Sequence, residues 1–550
     1  MRRLLALVLT VLMLAGTFSG CENNFQYDFE NWESAEQDQR TDVLTFTYED
    51  EDLERYYELL EQYKSLALSS DSMKPLDELD PELEELTAFL IDQQSIASVL
   101  YYCDMKIKEA SQRHLDMTDV LTQVQEKTNQ VLREIYVSDS KLKDQIFVDW
   151  TEEDIRELLA YDSEIMELEQ RNAQIIVEYQ ALSEEDLREN VGPLYAQLVQ
   201  NNNRIAQIYG YDDYYDYAYK RVNMRDYTAV EVAQMRKYAQ TYLIPTLEAA
   251  YESFNDRLMS LSVREHERLV DFLEEDYDDT EYLDLYLEAL PEDVSAEMKS
   301  MFAGNVVFPK SNDAMEGAFT TLIGGYPFCY FSKGYKDTGT LVHEMGHYYG
   351  GLYGDITYMP LDLAEVQSQG NEWLMMSCME EPLRRTVFKC CLDYRMLDDI
   401  GTILLSLIVD EFEERVYKAD GVEHFTTADF ERIMEEVCQN YGGYEFLCEN
   451  LTDVQSYWQL VALEHPVYYV SYAVSLIPSI DLYFMASEDW DSAMEVYIGL
   501  TRELEPDAAF LEALEQAGLA SPFEEKVYQS IASMYGVAIH EETEKSDLAA

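Results

Sequence analysis

Basic side chains are scarce. Lys and Arg number 39 against 109 Asp and Glu, a net charge of −70 over 550 residues, and a surface of that sign repels phosphate backbones and anionic lipid headgroups. Nucleic acid is excluded as a partner. The acidity itself either keeps a surface solvated or attracts basic peptides or divalent cations, and charge alone does not choose between these. Glycine (22) and proline (13) are also few, which excludes a turn-rich or low-complexity chain and favours long uninterrupted helices. Cysteine offers no disulfide framework: apart from Cys21, seven remain at 103, 329, 378, 390, 391, 438 and 448, without any C-x-x-C spacing. Histidine occurs only seven times, so two of them at helical spacing carry information.

What is present suits a large folded body. Hydrophobic residues make up 47% of the chain, and its length supports two or three packed lobes around a cavity. The fold class expected is mainly α, with a small sheet. Residues 1–20 read as an export signal, with Arg2 and Arg3 ahead of an apolar run from Leu4 to Leu14 that is short for a membrane span. Ending in Gly20-Cys21, this leader resembles a bacterial lipoprotein signal, whose Cys21 would carry the lipid; an ordinary secretory signal is the alternative. The chain is then exported, either to the outer face of the bacterial cell membrane through an anchor at Cys21 or as a secreted protein. Residues 21–45 form an acidic tether. Helical periodicity such as Leu53, Tyr56, Tyr57, Leu60 and Tyr63 marks a helical N-terminal lobe over 46–225, and 226–536 forms the second domain, ahead of a polar tail at 537–550. Strand-compatible stretches lie at Asn305 to Phe308 and Ala318 to Phe331, around Gly324-Gly325.

Just after that sheet comes Thr340-Leu-Val-His343-Glu344-Met-Gly-His347-Tyr-Tyr-Gly350-Gly351. A start near Asp337 to Thr340 and a stop at the paired glycines define one short helix. At about 100° per residue, His343 and His347 lie about 40° apart on one face, and both imidazoles can reach one ion at about 2.0–2.1 Å, the distance zinc prefers. Glu344 lies on the same side, placed to take a proton from a metal-bound water. Leu341, Val342, Met345 and Tyr349 point elsewhere and bury the helix. Two satisfied histidines on an ordinary helix are the bland alternative. For a third ligand, Glu365 is the best candidate, 18 residues after His347, since the interval holds a loop and a second helix. Glu372, seven residues further on, shares its helix face, either as a partner to a ligand histidine's N–H or as a solvated carboxylate. Asp362 sits where a helix cap is expected.

These residues carry a resemblance. His343-Glu-Met-Gly-His347 followed by Ala364-Glu365-Val366-Gln-Ser368 and Glu372 resembles the thimet oligopeptidase and oligoendopeptidase F family of zinc metallopeptidases. Arg204-Ile-Ala-Gln-Ile-Tyr-Gly210-Tyr211 through to Pro245 is similar to that family's segment leading into the catalytic lobe. Tyr468-Tyr469-Val-Ser-Tyr472-Ala473 resembles its tyrosine-rich segment. The resemblance implies a two-lobed helical body around a deep channel, one Zn2+ per chain on His343, His347 and Glu365, Glu344 as general base, and Glu372 behind a ligand histidine. It further implies an oxyanion donor among Tyr472, Tyr469 and His465, and oligopeptide substrates cut internally. The aromatic stretch Gly324 to Phe331 is then either a buried core strand or a strand that pairs with substrate backbone. Where the family commonly carries another histidine, three residues after the motif, this chain has Gly350. Two rival functions remain: a catalytically silent peptide- or metal-binding lipoprotein, and a helical zinc carboxypeptidase.

Overall fold

The computed structural model describes residues 43–161, 163–180, 182, 184–275, 280–354, 359–442, 462–463, 465–504 and 508–537. The signal at 1–20, Cys21, most of the tether, Cys448 and the tail beyond Val537 lie outside the described residues. Long helices dominate, as expected of a chain poor in glycine and proline. α1 (Asp50–Ser69), α2 (Asp80–Cys103) and α3 (Lys108–Val137) pack together. Their i, i+3 and i, i+4 apolar positions, among them Tyr56, Leu60, Leu90, Leu121 and Leu132, form a core of their own. Across it Tyr56 Oη and Thr128 Oγ1 meet at 2.8 Å, satisfying two buried hydroxyls.

A second and larger core runs from Ile175 to Ala532. It takes in α4 (Ser163–Gln180) and α5 (Glu184–Tyr209) through Ile175, Val191, Tyr195 and Val199. These helices, counted with the N-terminal lobe by sequence, therefore share apolar packing with the motif helix. Around that core stand α6 (Thr338–Gly351), α7 (Leu361–Cys378), α8 (Arg385–Tyr417), α9 (Val470–Glu488) and α10 (Trp490–Arg502). The most extensive helix contact is α7 against α9, with α6 packed on α7's other side. Among the described residues α9 alone is long and apolar enough to cross a membrane, but 78% of it is buried inside the protein, so it is a core helix. Cys329, Cys378, Cys390 and Cys391 are free thiols.

Three strands complete the fold: β1 (Val306–Val307), β2 (Ala318–Ile323) and β3 (Tyr326–Phe331), in the order β1-β3-β2. β2 and β3 form an antiparallel hairpin whose two-residue turn, Gly324-Gly325, has φ +63° and +72°, the backbone that such tight turns demand and glycine supplies without strain. Alternation along the strands divides the sheet. Phe319, Ile323, Phe328 and Tyr330 pack on Ile96 and Val99 of α2, while Ala318, Cys329 and Phe331 join the larger core. The sheet is thus the layer between α2 and α6. Of the two readings of the aromatic run, a buried core strand fits better: Tyr326–Phe331 is the middle strand, bonded to β1 at Cys329 and Tyr330 and to β2 along its length. β1 falls within the strand-compatible stretch Asn305 to Phe308, though nothing in so short a strand reveals the order of the sheet; β2 stands at its edge.

Candidate metal centre

α6 starts where its sequence places the cap. Asp337 Oδ1 accepts the Thr340 N–H at 2.9 Å and its Oδ2 accepts the Thr340 hydroxyl at 2.7 Å. Leu341, Val342, Met345, Tyr348 and Tyr349 are buried, leaving His343 and His347 on the face turned to α7. The two helices touch backbone to backbone at Gly346, where a Cβ would stand 2.6 Å from Gln367 O and from Ser368 Cα. Asn371 of α7 reinforces the contact by donating to the Val342 carbonyl at 2.6 Å, and Tyr286 donates to Asn371.

This close approach brings together one nitrogen each of His343 and His347 and one oxygen of Glu365, all within 4.8 Å of one another. His343 Nε2 is 3.6 Å and His347 Nε2 3.9 Å from Glu365 Oε2. Donors about 2.0–2.1 Å from a tetrahedral ion stand roughly 3.3 Å apart, so the two contacts to Glu365 need shorten by only a few tenths of an ångström. Burial disfavours charge on the carboxylate and the imidazole alike. Burial pushes the Glu365 carboxyl up to about 7, against the pull of His343. Burial, together with His343, holds His347 well below the usual imidazole range, in the neutral form that ligates.

Glu372, two turns beyond Glu365, is a partner of the site and not a solvated carboxylate, its side chain only 11% exposed. Its Oε1 lies 2.9 Å from His343 Nδ1, and Arg395 donates to its Oε2. Burial raises the Glu372 carboxyl, but Arg395 and His343 outweigh it and hold it below the usual range. An ionised Glu372 keeps the proton on Nδ1 and leaves the Nε2 lone pair facing Glu365. Arg395 is held in turn by Asp399 at 3.0 Å, which also accepts the Trp373 indole N–H at 2.7 Å.

Glu344 is buried beside His343, and Thr320 of β2 donates its hydroxyl to Glu344 Oε2 at 2.7 Å. Burial raises its carboxyl, opposed by His343 and Thr320. One carboxylate oxygen is therefore fixed by the sheet, leaving the other for chemistry. Asp362 is not a cap: Pro360 holds that position, and Asp362 lies inside the first turn, buried, with its Oδ2 accepting the Tyr227 hydroxyl at 2.7 Å. At Gly350 the structure explains a departure from the resemblance. The Gln367 amide fills that space, its Oε1 only 2.0 Å from where a Cβ would stand, and its Nε2 donates to Leu500 O at 2.8 Å.

The remaining expected residues form one aromatic group at the start of α9. Tyr468, Tyr469 and Tyr472 have ring centres 5.6–6.0 Å apart, with His465 5.8 Å from Tyr468. Tyr469 caps the helix, half-buried; Tyr472 is buried in its first turn, with its hydroxyl 3.4 Å from that of Tyr468. Burial lowers His465 to about 4, so at neutral pH it is an uncharged donor or acceptor. Sequence reasoning missed Thr320, Asn371, Gln367 and Arg395. Each acts across 23 or more residues or between helices, where periodicity gives no signal.

Comparison of the sequence with protein families and with curated proteins finds no match. The likeness is in the fold. PZ peptidase A, solved with an inhibitor, superposes with a TM-score of 0.70 at 18% identity over 90% of this chain and 99% of its own. Oligoendopeptidase F from Enterococcus faecium gives 0.55 at 14% identity, over 88% and 96%. M32 carboxypeptidase from Deinococcus radiodurans R1 gives 0.54 at 14%, over 89% and 100%. The chain has the helical peptidase fold of the oligoendopeptidase F kind, over nearly the whole length of those structures.

Proposed function

We propose that the chain is a zinc-dependent endopeptidase that hydrolyses internal bonds of oligopeptides. The observation that carries this is the convergence of His343, His347 and Glu365 within 4.8 Å, with Glu344 against the same face. Two imidazoles and one carboxylate leave a tetrahedral ion an open position, the arrangement of a catalytic site. When bound, the ion polarises the scissile carbonyl and lowers the pKa of a water. Glu344 takes the proton from that water and delivers it to the leaving amine. Thr320 keeps its carboxylate from turning away. Glu372 and Arg395 hold the His343 ring, and hydroxyls of the Tyr468–Tyr472 group donate to the carbonyl oxygen as it gains charge. In this reading the leader exports the protein, and Cys21 carries a lipid that holds it at the membrane.

Zinc analysis and an internally quenched peptide, with products mapped by mass spectrometry, test the proposal. Cleavage at internal bonds that a chelator abolishes is expected. Release only of C-terminal residues would favour the carboxypeptidase alternative, which the 0.54 superposition keeps in view. Bound peptide without cleavage would favour the silent binding protein.

The Glu365 proton gives a further expectation. A carboxyl raised to about 7 must lose its proton to ligate, so apparent zinc affinity should climb about tenfold per pH unit up to about 7 and level off above. Neutral His347 adds no second proton in that range. A competing chelator dye read between about pH 5.5 and 8 measures the profile; a flat one would show that no proton leaves Glu365 on binding in that range, and zinc titration of Glu365→Gln would then test the ligand itself.

A further inference from the structure

Val467 has φ +60°, although it is β-branched and no turn residue by type. Such a residue takes that backbone only where its surroundings impose it. Glu413, buried in α8, accepts the Val467 N–H at 2.7 Å. Asn223 donates to the Val467 carbonyl at 3.2 Å. Arg225, whose side chain has no exposed surface, donates to the next carbonyl, Tyr468 O, at 3.3 Å and to Ser471 Oγ at 2.9 Å. The same guanidinium lies 3.8 Å from Asp362, one turn ahead of Glu365 on α7, and 4.5 Å above the Tyr219 ring.

We infer that Glu413, Asn223 and Arg225 are positioning residues that hold the Val467 turn in a backbone it would not choose, and so set the Tyr468–Tyr472 hydroxyls against the metal-ligand helix. Side chains from two elements, α8 and the segment carrying Asn223 and Arg225, grip three consecutive peptide units, and Arg225 also faces the ligand helix. A relaxed turn would swing the start of α9 while leaving its body packed along α7. Substrate held elsewhere would still bind, but the hydroxyls would lie off the carbonyl oxygen when charge develops there. The expected signature is therefore a loss in kcat with KM unchanged.

The inference rests on the peptidase reading, and the test separates the two. Burial pushes the Glu413 carboxyl well up; Glu413→Gln keeps an acceptor oxygen without a charge, whereas Glu413→Leu removes the acceptor. Glu413→Gln should stay within about threefold of wild-type kcat, and Glu413→Leu should lose about 30-fold, short of the 10²–10³ that outright loss of an oxyanion donor costs. Zinc content and KM should not change. Val467→Gly supplies a residue at ease with positive φ, so adding it to Glu413→Leu should recover kcat by about tenfold, a coupling expected only if the clamp works by imposing that backbone. Equal losses in the Gln and Leu variants, a change confined to KM, or no recovery in the double variant would each overturn the inference. If Glu413→Leu loses zinc or melts near the assay temperature, Asn223→Ala, at a half-buried position, decides: kcat within about threefold of wild type rejects the clamp. A wild type that cleaves no peptide sinks the peptidase reading itself.

Discussion

Glu344→Gln is expected to bind zinc as the wild type does and to hydrolyse peptides roughly 10²–10⁴-fold more slowly. The amide keeps an oxygen for the Thr320 hydroxyl, 2.7 Å away in the wild type, so the local structure should survive. What it loses is the ability to accept a proton. Metal analysis and single-turnover cleavage of a quenched peptide measure both halves. Near-normal turnover in a zinc-loaded variant would remove Glu344 from the role of base; loss of the metal would make it structural instead. Thr320→Val offers a graded companion, since the carboxylate would remain but be free to rotate.

The second large effect is expected at Gly346. An alanine there would place its Cβ 2.6 Å from the Gln367 carbonyl and the Ser368 Cα, and neither is a side chain that can move aside. The two helices must separate by several tenths of an ångström, which costs about 1–3 kcal/mol of stability as overpacking does. The metal ligands sit on opposite sides of this contact, two on α6 and one on α7. Opening it pulls them apart, and zinc affinity should fall on the order of 10–100-fold, the scale seen when groups supporting metal ligands are lost. Gly401→Ala serves as a control, because nothing lies within 4 Å of its Cβ position in α8; it should stabilise the helix by about 0.5–1 kcal/mol. Thermal unfolding and zinc titration of both variants decide the matter. Equal behaviour would show that the α6–α7 contact is looser than its geometry.

How much of this could be read from the sequence depends on distance along the chain. His343, Glu344 and His347 lie within one helical turn, so their geometry follows from the helix period. Glu365 and Glu372 share a face for the same reason, once α7 is granted. The pairing of Glu372 with His343 crosses 29 residues; helix spacing offers it as one of two readings, and the resemblance implies it. Thr320 reaches Glu344 from a strand, Arg395 reaches Glu372 from a third helix, and Gln367 fills the space over Gly350. No local pattern announces such meetings, because each residue alone is an ordinary strand threonine, surface-type arginine or helix glutamine. The order of the sheet was hidden likewise, since its deciding strand has two residues. Asp362 was read as a cap from its type, but Pro360 ends the preceding loop and starts the helix two residues earlier.

The sheet that carries Thr320 belongs to two owners, and this limits how the protein can be shortened. Phe319, Ile323, Phe328 and Tyr330 are covered only by packing with α2 and its neighbours, while the opposite face serves the metal centre. A chain cut back to begin at α5 would keep every ligand and the base. It would also turn four large apolar side chains to water beside the edge strand β2, a combination that favours sticking to another copy over folding alone. α2 is thus a fixed cover on the sheet that carries Thr320, and a chain cut back to α5 is expected to aggregate and not to fold as a smaller body.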